Sequence, residues 1–341
     1  MTSYDLTNDF EFILEDRLSV IQQTDKEYDL ENNAYISFSG GKDSTLVHYL
    51  IDMALPNNKI PRVFIDTGIE YNDIREFVYD LAAKDNRFVI IKPQKPIIKV
   101  LQEYGYPFKS KQHSHNVFIF QNNKEKTINF INQCESNPKL LNDYDFIHNL
   151  PNGVKTNIKY IFGVREKEKE VSISFKDCPE SLKYQFTNEF NLKLSDKCCY
   201  KLKKEPAKKW QKYNNKNIVI LGLKEDEGGM RSVHKGCVVY SEDNKSILKF
   251  KPLNPVSTAF EDYVIAKYDI KLCKLYYPPY NFKRTGCKGC SFALDLQDQL
   301  NVMATYLPNE RKQCEFIWKP VYEEYRRLGY RLKKSEQLKL F

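Results

Sequence analysis

No stretch of the 341 residues stays apolar long enough to cross a bilayer. Residues 1–16 are acidic and carry no apolar signal-peptide core. The expectation is therefore a cytoplasmic protein with no membrane partner. There is no internal repeat, and no long low-complexity linker parts the chain. The last eleven residues, 331–341, contain no cysteine. Hydrophobic content of 41% and charged content of 29% exclude a disordered chain and fit a globular one. The net charge of +8 fits an anionic partner, such as a nucleotide or a nucleic acid, although solubility alone also accounts for it.

What is present begins with residues 35–47. A short apolar alternation leads into Ser39-Gly40-Gly41-Lys42-Asp43-Ser44-Thr45, and Leu46, Val47, Leu50 and Ile51 follow at helical spacing. This is the pattern of a strand, a tight glycine turn and a helix start. Two glycines let the backbone turn without a Cβ clash and bring N–H groups near a ligand. The helix N-terminus adds unpaired N–H groups and a positive dipole end, which suits phosphate. Ser39 and Ser44 add hydroxyls, and Lys42 adds a point charge. The Walker A loop is excluded, because it needs four residues between its first glycine and the Gly-Lys pair.

Apolar strands alternate with helical segments after this turn. Residues 4–28 read as an amphipathic helix, 62–68 as a strand ending in Asp66-Thr67-Gly68, 71–84 as a helix and 88–91 as a strand. Residues 109–159 are rich in Asn, Lys and Gln and read as a polar insertion with a short helical piece at 127–134, a lid or substrate loop, with His113 and His115 on an exposed loop rather than on a metal. Residues 155–164 read as a strand before Arg165. Residues 217–223 read as a buried strand leading to Lys224 and Arg231, and 238–250 as a hairpin around Glu242-Asp243-Asn244. Helices are expected at 259–268, 294–306 and 310–327. The fold expected is α/β, a Rossmann-like parallel sheet with flanking helices and a helical C-terminal extension. The partition expected is 1–255 for the nucleotide-binding domain and 256–341 for the helical region. In such sheets ligands sit at the carboxyl ends of strands, so residues 39–44 and 66–68 are expected to face one pocket.

Nine cysteines occur, four of them in two pairs: Cys198-Cys199, and Cys287 with Cys290 in a C-x-x-C. In a reducing compartment this points to metal or redox chemistry rather than disulfides. Zinc is expected to show C-x-x-C at both ends. Adjacent cysteines splay apart and suit the several iron atoms of a [4Fe–4S] cluster better. Zinc and unrelated core cysteines remain as alternatives.

The Ser-Gly-Gly-Lys-Asp-Ser turn resembles the PP-loop of the ATP pyrophosphatase superfamily. The turn, Asp66-Thr67-Gly68, the Cys198-Cys199 segment through Pro206, the Lys251-Pro252-Leu253-Asn254-Pro255 turn and Cys287-Lys288-Gly289-Cys290 together resemble the phosphoadenosine phosphosulfate (PAPS) reductase family. The likeness covers about residues 34–292. It implies an adenine nucleotide alpha hydrolase-like fold and an adenine nucleotide, ATP or a relative, on Ser39, Gly40, Gly41, Lys42, Asp43, Ser44 and Thr45 with Asp66, Thr67 and Gly68. It also implies a [4Fe–4S] cluster on Cys198, Cys199, Cys287 and Cys290. Reductases of this family attack sulfur with a cysteine near the C-terminus. Here the tail has none, and Cys314 lies in a predicted helix. The reading is therefore ATP-dependent adenylation coupled to sulfur transfer. Lys42, Asp43 and Arg231 carry catalysis, Arg165 and Lys224 are further phosphate candidates, and Mg²⁺ is placed by Asp43. The partners are a nucleic-acid or nucleotide acceptor and a sulfur donor protein. The alternatives are an adenylylsulfate or PAPS reductase, and a nucleotide-binding protein without turnover.

Overall fold

A computed structural model describes residues 9–225, 236–241 and 247–334. Its strands are β1 (Ala34–Phe38), β2 (Arg62–Ile65), β3 (Phe88–Ile91), β4 (Val164–Lys167), β5 (Glu170–Ile173), β6 (Ile218–Ile220), β7 (Val238–Tyr240) and β8 (Ile247–Phe250). The chain divides into two compact units. The first holds residues 1–96, 202–288 and 305–310; the second holds 97–201, 289–304 and 311–341. A cut at 255 is not where the contacts divide the chain, since residues 256–288 belong with the first unit.

The first unit is a six-stranded sheet in the order β3-β2-β1-β6-β8-β7. All neighbours are parallel except β7, which runs antiparallel to β8. That pairing is the hairpin read in the sequence, although its tip at Glu242-Asp243-Asn244 lies outside the described residues. The fold is α/β with a mostly parallel sheet and flanking helices. The apolar periodicity explains the layering. Helix Phe10–Tyr28 buries Ile13, Leu14 and Ile21; helix Lys42–Ala54 buries Leu46, Val47, Leu50 and Ile51; helix Thr258–Lys267 buries Phe260 and Val264. These meet Ile36, Ile220 and Phe250 in one core. Each such side chain, fully buried, contributes about 1.5–3 kcal/mol. Asp9 and Ser257 cap two of these helices by accepting from the N–H groups of Phe12 and Phe260.

β1 is the switch point of the sheet. The chain leaves it toward β2 and β3 on one side, while β6 lies on the other. Ligand crevices of open α/β sheets open beyond the carboxyl ends of strands at such a point.

The second unit is mostly helical and carries the β4-β5 hairpin. It corrects three expectations. Residues 155–164 are not a strand: helix Asn152–Phe162 covers most of them, and Val154, Ile158 and Ile161 fall on one buried face at steps of four and three. Residues 109–159 are helical well beyond the short piece expected at 127–134, which lies within the second of the helices there. Helices Lys111–Asn122, Lys124–Ser136 and Tyr144–Asn149 precede helix Asn152–Phe162, and Val117, Phe120 and Ile147 are buried. The polar composition reflects only their outer faces. His113 is accordingly not exposed but sealed, with Nδ1 2.8 Å from the Tyr160 hydroxyl and Nε2 2.7 Å from Gln185 Oε1. Finally, the helix expected over 310–327 is two, Pro308–Ile317 and Lys319–Leu328. Pro320 sits in the first turn of the second, where its missing N–H costs no helical bond.

Candidate active site

The glycine turn stands where β1 ends and helix Lys42–Ala54 begins. Gly40 has φ +71°, a region that favours glycine, and a Cβ there would lie 2.9 Å from the methyls of Ile74 and Val78. The helix Asn72–Lys84 can approach the turn only because that atom is absent. Two serines brace the turn. Ser44 Oγ receives the Ser39 N–H at 3.2 Å, contacts Ser39 Oγ at 3.0 Å and donates to the Gly41 carbonyl at 3.0 Å. Gly41 N–H reaches Ser39 Oγ at 3.3 Å. Lys42 N–H donates to the Tyr276 hydroxyl at 3.0 Å, which in turn lies 2.6 Å from Thr285 Oγ1. Thr45 is buried, and its hydroxyl has no partner among the described residues.

The loop after β6 closes on this turn. A Cβ on Gly222 would lie 2.9 Å from the backbone of Asp43. That approach brings Lys224 beside the helix start. Asn254 holds the same loop by accepting the Glu225 N–H, and Lys251 Nζ reaches Asn254 Oδ1 at 3.1 Å. The Lys251–Pro255 turn singled out in the sequence thus supports the loop rather than facing the cavity.

Lys42, Asp43, Lys224, Thr258, Asp262 and Tyr276 line part of one cavity of about 840 Å³, within the size range of small-molecule sites. Beneath them lies Glu261, fully buried. Its Oε2 accepts from Lys224 Nζ at 2.8 Å and stands 3.3 Å from Lys42 Nζ. Lys42 Nζ also reaches Asp262 at 3.2 Å, and Lys224 Nζ reaches Thr258 Oγ1 at 2.9 Å. Burial pushes the Glu261 carboxyl above its ordinary pKa, and the charge of Asp43 adds to this; Lys224 and Lys42 oppose it. Burial alone would lower the Lys42 pKa, but Glu261 and Asp262 outweigh it and raise it.

Asp66, Thr67 and Gly68 follow β2 and do not line this cavity; Asp66 and Thr67 are buried, while Gly68 is exposed. The buried Asp66 carboxylate contacts Arg75 and accepts from the Tyr79 hydroxyl at 3.0 Å and the Gly68 N–H at 3.2 Å. Thr67 bonds to Glu70 through both its N–H and its hydroxyl. Arg165 lies in the second unit, paired with Asp177 at 3.0 Å. Arg231 lies outside the described residues.

Glu261, Asp262, Thr258 and Tyr276 were missed in the sequence. Ser257-Thr258 followed by Glu261-Asp262 reads as a capped helix with acid in its first turn, where it suits the dipole. No local signal reveals the two lysines from other elements.

Cys198 is buried on the single turn Lys197–Cys199, and Cys199 beside it is partly exposed. A π-helical turn, Tyr200–Lys204, follows. Cys287 and Cys290 are both partly exposed. Between them Gly289 has φ +62°, and a Cβ there would lie 2.5 Å from the Tyr322 hydroxyl and 2.7 Å from Cys314 Sγ. Tyr322 donates to the Gly289 carbonyl at 2.5 Å. The glycine of the C-x-x-C is therefore obligatory here. Among the described residues, no group of three or more His, Cys, Asp or Glu side chains is arranged to hold a metal ion. Cys134, Cys178 and Cys273 are core thiols, pushed by burial to about 11, about 12 and about 11.

No helix among the described residues is long and apolar enough to cross a membrane. Over 89 residues the chain is 32% identical to the uncharacterized protein MJ0973 of Methanocaldococcus jannaschii, an alignment that covers 26% of this chain and 21% of that protein. The chain thus spans about a fifth of the length of this curated relative. Among solved structures it is similar to a PAPS reductase from Candida auris in a phosphate complex, with 14% identity and a TM-score of 0.43, covering 80% of this chain and 87% of that one. It is also similar to the U34-tRNA thiolase NcsA from Methanococcus maripaludis with its [4Fe-4S] cluster, with 12% identity and a TM-score of 0.35, covering 92% and 80%. The family model for the phosphoadenosine phosphosulfate reductase domain matches residues 33–150 and 151–293, which take in the glycine turn and both cysteine pairs. With most of its length matched, this chain belongs to the phosphoadenosine phosphosulfate reductase domain family.

Proposed function

We propose that the protein is a PP-loop enzyme that cleaves ATP to AMP and pyrophosphate while adenylating an acceptor, which then receives sulfur. The observation that carries this reading is the turn at 39–44, which opens with Lys42, Asp43 and Lys224 on an 840 Å³ cavity. The reductase alternative needs an accessible thiol toward the C-terminus. Cys314, the only cysteine after Cys290, is fully buried on helix Pro308–Ile317 with its sulfur 4.0 Å from that of Met303.

The chemistry is as follows. An oxygen of the acceptor, a nucleotide or nucleic acid, attacks the α-phosphorus, and pyrophosphate leaves with the electron pair of the broken P–O bond. Hydrosulfide, delivered by a donor protein, then attacks the carbon bearing the adenylated oxygen. The C–O bond breaks, AMP leaves, a C–S bond replaces it and the sulfur gives up its proton. No oxidant or reductant is consumed. Ser39, Gly40, Gly41, Ser44 and Thr45 would hold the phosphates by N–H and hydroxyl groups. Lys42, Lys224 and Arg231 would offset charge on the leaving group. Asp66, Thr67 and Gly68 would shape the neighbouring strand end.

Mg²⁺ takes oxygen ligands, and the carboxylate of Asp43 at the cavity wall fits it. Four thiolates are a donor set that a [4Fe–4S] cluster takes, and Cys198, Cys199, Cys287 and Cys290 would hold one. Such a cluster would supply sulfur carriage or tuning of a nearby anion.

Purified protein with ATP and Mg²⁺ should release pyrophosphate when the acceptor is supplied, and Cys314→Ala should retain that rate within about twofold. Sulfite release from PAPS with a thiol donor, lost in Cys314→Ala, would instead establish the reductase. Anaerobic preparations should contain iron and sulfide, with visible absorbance lost in Cys287→Ser. Stoichiometric zinc would overturn the cluster.

A further inference from the structure

We infer that Glu261 is a positioning residue for the phosphate site: one buried carboxylate oxygen that fixes Lys42 and Lys224 as a pair on the cavity wall. The inference rests on the reading of that cavity as the nucleotide site.

The geometry is specific. Lys42 comes from the helix after β1, Lys224 from the loop after β6, and Glu261 from helix Thr258–Lys267. The two ammonium groups reach the same atom, Glu261 Oε2, at 3.3 and 2.8 Å. Glu261 is fully buried and Lys224 nearly so, while the Lys42 side chain retains some exposure. Two ammonium groups so close repel each other, and nothing in the apolar parts of the core would hold them together. A single negative oxygen between them turns that repulsion into a fixed geometry. A lysine is a flexible point charge with several rotatable bonds, so an unaided pair would reach a transferring phosphate in many arrangements. Holding both ready lowers the ordering cost at the moment of reaction.

The charged groups around Glu261 define what else acts on it. Asp43 is its like-charged neighbour, Lys42 and Lys224 are its partners, and Asp262 shares Lys42. Its second oxygen, Oε1, is buried and makes no hydrogen bond among the described residues. Among the described residues, the pairing of its side chain is therefore directed at the lysines. A glutamate placed only to cap its helix would not be expected to bridge two other elements. Asp262, 66% exposed at its side chain, is the weaker anchor, because water screens it.

The test is Glu261→Gln, which keeps the shape and removes the charge. Amine acylation at Lys42, followed by peptide mapping, should run about tenfold faster in the variant, since the ammonium form loses its buried partner. The kcat for pyrophosphate release should fall at least tenfold, with the Kd for ATP changed less than threefold. A purely structural role would instead lower the melting temperature and leave Lys42 labelling unchanged in the folded fraction. Unchanged labelling in a folded variant overturns the inference. Should Glu261→Gln not fold, Lys224→Gln serves: Lys42 then has the carboxylate to itself and should label more slowly than in the wild type, and equal or faster labelling overturns the inference. Labelling depends on neither ATP nor turnover. Faster labelling in a protein that never releases pyrophosphate would defeat the proposed function while leaving the tether intact.

Discussion

Lys42→Ala is expected to slow pyrophosphate release from ATP by about 10²–10³-fold, the usual cost of removing one preorganised group that meets developing charge. Lys42 opens the helix after β1, and its ammonium lies on the cavity wall against Glu261 and Asp262. Charge builds on the leaving pyrophosphate as the α-phosphorus bond breaks, so the ammonium acts more on the transition state than on bound ATP. Alanine is an excellent helix former, and the backbone N–H at position 42 stays in place. The loss should therefore fall mainly on kcat, with ATP affinity weakened far less and the melting temperature nearly unchanged. A coupled pyrophosphate assay, a binding titration and a thermal melt on the same variant measure all three. A rate within threefold of the wild type would remove Lys42 from the proposed chemistry.

Stability should fall between pH 6.5 and pH 4 because two histidines are buried neutral. Burial, reinforced by the Arg62 charge, lowers the His48 pKa to about 4. Burial likewise lowers His113 to about 4; its Gln185 hydrogen bond opposes this and the Lys109 charge adds to it. Both values lie below the ordinary 6.5, so in this window the unfolded chain binds protons that the native state refuses. Above pH 6.5 both states hold neutral imidazoles and the contribution is complete. As pH falls it is lost, by about 2 kcal/mol for each histidine at pH 5. Urea denaturation at pH 7.5 and 5.0 measures the difference, and comparison with His48→Gln and His113→Gln separates each histidine from the other titrating groups. A variant whose pH dependence equals that of the wild type would show that its histidine does not titrate this way.

The glycine turn was legible because its information is local. Two adjacent glycines, flanked by an apolar alternation and a helical repeat, specify strand, turn and helix within residues 35–51. The parallel strands were legible for the same reason, and so were the helices at 258–267 and 296–306. Residues 109–162 misled because the outward faces of several helices are rich in Asn and Lys. Their apolar stripe is sparse, and composition averages both faces together. Position 113 shows the cost of such averaging: among polar neighbours the histidine looks exposed, yet it sits on the inner face between Tyr160 and Gln185.

By itself the sequence determined the family, the α/β class and the place of the glycine turn, since each depends on short periodic patterns or fixed spacings. Only the tertiary structure decided what surrounds that turn. It brought Gly222 against Asp43, set Tyr276 on the Lys42 N–H and placed one oxygen of Glu261 between two lysines. It also turned Asp66 inward to Arg75 and Tyr79. The physical reason is common to all four. Each contact joins elements whose approach is set by helix and strand packing, and the energy of a buried charge depends on partners supplied from elsewhere in the chain.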